Sequence, residues 1–122
     1  MTRHYRQEAG DRGEDLALRH LQAAGLKLLQ RNYRCAGGEI DLVMSDGQTL
    51  VLVEVRFRRD RSFGGAAASV DVRKQQRLMR AAQHLLQTHA AYRRQRARFD
   101  LIAIDGEGAA TQINWIRDAF RQ

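Results

Sequence analysis

A chain of 122 residues, 43% hydrophobic and 29% charged, has the size and polarity of one folded, soluble domain. Its 21 Lys and Arg against 14 Asp and Glu give a formal net charge of +7 and a pI of about 10.7, the electrostatic footprint of a nucleic-acid binder, although basic proteins with other partners share it. No apolar run approaches the roughly 18 residues of a membrane span, the N-terminal stretch lacks the apolar core of a signal peptide, and the lone Cys35 rules out an internal disulfide, in keeping with a reducing cytoplasm.

Residues 1–7 are polar and are expected to be disordered. From about Glu8 to Ala24 the pattern is helical: Glu14, Ala17, Leu18 and Leu21 follow i, i+3, i+4, i+7, and Gly25 stops the helix. An acid on the apolar stripe points toward the body of the protein. Lys27 to Tyr33 reads as a first strand. Glu39 to Ser45 alternates as a second, Asp46-Gly47 signals a hairpin, and Thr49 to Phe57 has the composition of a central strand. A basic loop with Arg58, Arg59 and Arg61 runs into Gly64-Gly65. Ser69 or Asp71 can cap a helix reaching to about Ala91, with Leu78, Ala81, Ala82 and Leu85 buried. Arg93 to Arg98 is a basic connection, Phe99 to Ile104 a further strand, and Thr111 to Ile116 an edge strand before a short terminal helix. The order α-β-β-β-α-β(-β) predicts an α/β fold with a central mixed sheet of four to five strands flanked by helices, one domain over residues 1–122.

The second and third strands carry acids where burial is expected, and a buried carboxylate is costly unless paired or metal-bound. A two-residue turn at Asp46-Gly47 sets Ser45 against Gln48, Asp41 against Leu52 and Glu39 against Glu54. Residues two apart on a strand share a face, so Glu39, Asp41, Glu54 and Arg56 project together and Asp41 lies diagonal to Glu54. Oxygen ligands of this kind suit Mg²⁺ or Mn²⁺ rather than zinc. A one-residue slip would separate them, and an ordinary Glu54–Arg56 ion pair explains the same residues, so spacing alone leaves site and scaffold at even odds.

The motifs GGEIDLV, LVEVRFR, FGGAAASV, KQQRL and RFDLIAI, running in order from about Gly13 to Phe120, resemble the YraN family of bacterial proteins, which is similar to the restriction-endonuclease-like, PD-(D/E)xK nuclease superfamily. That resemblance implies a metal-dependent endonuclease acting on DNA phosphodiester bonds, of branched or junction structure by analogy, with Mg²⁺ or Mn²⁺ as cofactor. It maps the acidic metal ligands to Asp41 and Glu54, the motif lysine to Arg56, a helix glutamate to Glu14 and a polar helix residue to Gln75. Arg58, Arg59, Arg61, Lys74, Arg77, Arg93, Arg94 and Arg96 would then contact the nucleic-acid backbone, and a junction substrate would favour a homodimer. The chain departs from the pattern at Arg56, since arginine stays protonated and cannot be a general base. The alternative is a nucleic-acid-binding module of nuclease ancestry with little or no catalysis.

Overall fold

The computed structural model describes residues 2–59 and 65–120, with side chains from Gly13 onward. Helix α1 (Thr2–Ala23) is followed by β1 (Lys27–Cys35), β2 (Gly38–Asp46), β3 (Thr49–Arg58), α2 (Val72–Thr88), a single turn α3 (Ala90–Arg93), β4 (Arg96–Asp105) and β5 (Gln112–Phe120). The five strands form one sheet in the order β1-β2-β3-β4-β5. Only β3 and β4 run parallel, joined by the α2 crossover; the other neighbours are antiparallel.

Alternation along the strands builds two cores, one on each face of the sheet. Ala17 and Leu21 of α1 pack with Leu42, Met44, Val51, Val53, Ile102 and Ile104. Leu78, Ala81, Ala82 and Leu85 of α2 pack on the other face with Val43, Leu50, Leu52 and Leu101. Helix α2 starts at Asp71, whose carboxylate accepts from the Lys74 backbone N–H at 2.9 Å. Of the two caps open in the sequence, Asp71 is therefore the one used.

Four boundaries differ from expectation. Helix α1 begins at Thr2 rather than near Glu8, since nothing in residues 2–7 breaks a helix. Helix α2 ends at Thr88, and β4 begins at Arg96, taking up part of the basic connection. Strand β5 runs on to Phe120 where a terminal helix was expected; Asp118 takes a positive φ of 53° and donates its N–H to Asp100 at 2.9 Å, which holds the chain on the sheet. The β2–β3 turn is formed by Gly47 and Gln48, with Asp46 paired to Thr49. Gly47, at φ 60°, is the first of the two loop residues, one position later than the expected Asp46-Gly47 turn, and a positive φ there alone marks a type II′ hairpin.

The close approach of α2 to the sheet depends on one glycine. A Cβ on Gly38 would lie 1.9 Å from the Arg77 carbonyl oxygen, and helix backbone has nowhere to move. Gly38→Ala is expected to destabilise the fold by at least about 1–3 kcal/mol, the range for overpacking. Urea unfolding checks this, and an unchanged midpoint would mean that α2 does not pack where it is placed.

Candidate functional site

The turn moves the hairpin register by two residues, which preserves the parity of the paired ladder. The ladder runs from Asp46↔Thr49 to Leu42↔Val53 and stops there. Asp41 follows directly at the point where β2 leaves β3. The Val55 N–H that β2 no longer reaches donates to Asp41 Oδ2 at 2.8 Å. On the other side, Asn32 of β1 takes a positive φ of 53° between the pairs Arg31↔Leu42 and Tyr33↔Ile40. Leu42 lies in the α1 core and Ile40 in the α2 core, although residues two apart normally share a face. The sheet forks at Asp41, and the fork opens a place for a carboxylate between strands.

Glu54 stands next on β3. Leu52 faces α2, so Glu54, Arg56 and Arg58 follow on that face, while Val53, Val55 and Phe57 pack toward α1. Burial is the main force on both acids: it pushes Asp41 up to about 7 and Glu54 up to about 8, and each is raised further by neighbouring carboxylates, Glu14 and Glu39 for Asp41, Asp41 and Glu39 for Glu54. Arg56 opposes this, with its Nη1 3.9 Å from Glu54 Oε1. Its Nε donates to Ser69 Oγ at 2.9 Å, and Ser69 in turn donates to the Ala66 carbonyl at 2.6 Å. Ala66 N–H donates to Asp105 at 2.7 Å. A short relay from the end of β4 thus fixes the guanidinium beside Glu54.

Lys74 belongs to the same site. It lies in line with Leu78, Ala81 and Leu85 at i, i+4, i+7, i+11 and so faces the sheet. Burial first, then Arg56, lowers its pKa, while Asp71 and Glu54 raise it. The sequence held this signal, since the buried stripe of α2 extends to position 74. Ser69 and Asp105 carried no signal, because their roles depend on the path of the intervening loop.

The remaining expected residues divide. Glu14 is mostly buried and lies near enough to raise Asp41, but its carboxylate also meets Arg31 at 3.4 Å. Gln75 turns its amide back onto the Val70 carbonyl at 3.4 Å. Glu39, expected on the same face as the pair, ion-pairs with Arg34 at 3.2 Å and still lies near enough to raise both acids. Arg58 and Arg59 are exposed, with Arg58 close enough to act on Lys74. Arg61 lies outside the described residues. Arg77 is exposed on α2. Arg93, Arg94 and Arg96 are exposed at the other end of the sheet: Arg96 pairs with Thr49, five residues and about 17 Å along β3 from Glu54. Tyr33 is core, 7% exposed.

Fold and site together define an α/β domain with a forked mixed sheet, helices on both faces and a largely buried acidic pair at the fork. A family profile described as "Uncharacterised protein family UPF0102" matches residues 13–104. UPF0102 proteins of Stutzerimonas stutzeri, Herminiimonas arsenicoxydans and Nitrosococcus oceani are 54%, 57% and 49% identical over 93%, 94% and 93% of this chain and 95%, 88% and 92% of their own. The chain belongs to the UPF0102 (YraN) family. No helix among the described residues is long and apolar enough to cross a membrane.

The folded-state pKa of each site acid lies above its unfolded value, so the folded protein holds the extra protons. Stability contributed by this site is therefore present below the ordinary Glu value of 4.5 and is lost as pH rises toward about 8. Glu54→Gln removes that loss. In EDTA, its Tm should exceed that of the wild type at pH 8 and converge with it at pH 5. Thermal unfolding across that range checks it, and a gap independent of pH would show that the pair is not buried and coupled.

Proposed function

We propose that this protein is a metal-dependent nuclease that hydrolyses phosphodiester bonds in nucleic acid, most naturally DNA. The observation that carries the reading is the largely buried Asp41–Glu54 pair facing Arg56 and Lys74. Two carboxylates that burial and mutual repulsion hold partly protonated favour the arrival of a hard cation, which lets both ionise. Among the described residues no group of three or more His, Cys, Asp or Glu is placed to hold a metal by itself. That donor set still fits Mg²⁺ or Mn²⁺, because Mg²⁺ commonly binds one or two carboxylates and completes its shell with waters and substrate phosphate.

Asp41 and Glu54 would hold the ion, with Glu14 reaching it through water. When bound, the ion supplies Lewis acidity toward the scissile phosphate and a lowered pKa for bound water. Asp41 keeps its position through Val55 N–H. Arg56, locked by Ser69, offers a permanent positive fork to the phosphoryl oxygens. It cannot take a proton, and that task falls to Lys74, whose lowered pKa brings its neutral form closer to working pH. The lysine absent from position 56 is thus replaced from the helix. Gln75, engaged with Val70, would have to swing to orient water.

The second reading, a nucleic-acid-binding module without turnover, draws on Arg56 itself: a non-titrating residue tied into a structural relay suits holding a phosphate better than activating water. One assay separates the two. With Mn²⁺, the wild type should cut branched or single-stranded DNA, and Asp41→Asn or Glu54→Gln should lower the rate by about 10²-fold or more. Lys74→Ala should lower kcat by about 10²-fold and remove the rise in rate with pH that deprotonation of Lys74 produces. Glu54→Gln cleaving like wild type would falsify the nuclease reading; salt-dependent binding with no cleavage by any form would favour the second.

A further inference from the structure

Helix α2 carries four basic residues, Arg73, Lys74, Arg77 and Arg80, and no acid. A surface that serves only solubility normally mixes both signs. Lys74 faces the sheet, but Arg73, Arg77 and Arg80, at i, i+4, i+7, form a separate exposed stripe. None of the three makes an ion pair with an acid among the described residues. The stripe starts one residue from Lys74 and runs away from the acidic pair. Beside it lies the β1–β2 turn, where Gly38 meets the Arg77 backbone and a Cβ on Gly37 would touch the Arg80 side chain at 3.3 Å. Two glycines thus keep the flank of the stripe low. Val72, 67% exposed, stands at its head.

We infer that Arg73, Arg77 and Arg80 form a track for the phosphate backbone of one nucleic-acid strand leading to the acidic pair, and that Arg93, Arg94 and Arg96 do not take part in it. This rests on the nuclease or binding-module reading above and adds the path of the strand. From Arg73 to Arg80 the helix rises about 10.5 Å. One strand of duplex DNA presents a phosphate about every 3.4 Å of axis, so the track spans about three phosphate steps and each of its three arginines can meet a separate phosphate. Such contacts set position and polarity without reading bases. The stripe accepts duplex or single strand alike, and sequence would not matter to it.

The distal arginines are placed differently. They sit in and just before the start of β4, where Arg94 and Arg96 border a hollow with Gly47, Gln48 and Thr49, at the end of β3 five residues before Glu54. A strand lying on them would miss the site by about 17 Å, half the length of β3.

Binding in EDTA tests the track without hydrolysis. Fluorescence anisotropy of a labelled branched DNA and of a single strand would be followed against salt for wild type, for Glu54→Gln, for the triple Arg73→Gln/Arg77→Gln/Arg80→Gln, and for the triple Arg93→Gln/Arg94→Gln/Arg96→Gln. The α2 triple should bind about 10–100-fold more weakly, and the slope of log Kobs against log[salt] should fall by about 2–3, one unit per lost phosphate contact. Arg77→Gln alone should remove about one unit, which covers the case in which the triple does not fold. Glu54→Gln and the distal triple should keep the wild-type slope. An unchanged slope in the α2 variants, or a larger loss in the distal triple, overturns the track whether or not the protein cleaves. A reduced slope upholds it even if no cleavage is found. No binding to DNA or RNA at low salt overturns it in favour of an acidic protein partner.

Discussion

The architecture turns on a single hydrogen bond at the sheet fork, from Val55 N–H to the Asp41 carboxylate. Where β2 departs, β3 would present an unpaired N–H in the interior, which is costly to leave unsatisfied. Asp41 supplies the acceptor and lets the strands diverge without that penalty. The same bond draws a carboxylate inward, beside Glu54, into a place where charge is poorly solvated. Opening the sheet and creating the acidic pair are one event, and neither could be had by placing acids on a continuous ladder.

The fork then determines what must surround it. Val55 N–H lowers the pKa of Asp41, and Arg56 lowers that of both acids, but burial outweighs them. Arg56 could relieve more if free to close on Glu54; Ser69 holds its Nε instead, leaving Nη1 at 3.9 Å, beyond hydrogen-bond reach. The relay through Ala66 to Asp105 makes that restraint part of the fold. Gly65 permits it, since its φ of 76° and the Asp105 carboxylate 2.7 Å from any added Cβ exclude a side chain there. A site kept short of positive charge by its own scaffold is one suited to receiving it from outside.

Much of this was readable from residue order. The helical stripe of Ala17 and Leu21, the apolar core positions of α2 and the run of β-branched residues in β3 fixed layers and element order, because burial periodicity is a local property. The hairpin register was misread by two residues, yet Asp41 and Glu54 stayed on common ground because a two-residue shift preserves parity. Asn32 was not legible: nothing in the local sequence announces a left-handed residue in mid-strand, and beyond it Tyr33 and Ile40 join the α2 core where Leu42 joins that of α1. The placement of the Arg93–Arg96 group was hidden for a different reason. Charge is legible in sequence, but the end of the sheet at which it lies is set by the parallel crossover.

Asp100 shows why burial alone does not make an acid functional. It is fully buried, more so than either fork residue. Trp115 Nε1 and the Asp118 N–H each donate to it at 2.9 Å, and Arg98 Nε at 3.1 Å, while Arg98 also reaches Asp46 at 3.3 Å. Every donor comes from β4 or β5, and together they pin the edge strand. Its charge is met, so adding a cation would gain little. Asp41 accepts one hydrogen bond among the described residues, and Glu54 meets a guanidinium at 3.9 Å and the more distant Lys74. One chain thus holds two solutions to the same problem: an acid closed by the fold, which organises it, and an acid pair left open by the fold, whose electrostatics improve only when something positive arrives. The second arrangement costs stability, and a protein of this size with a modest core would not be expected to keep that cost at a position any apolar residue could fill unless the open pair had work to do.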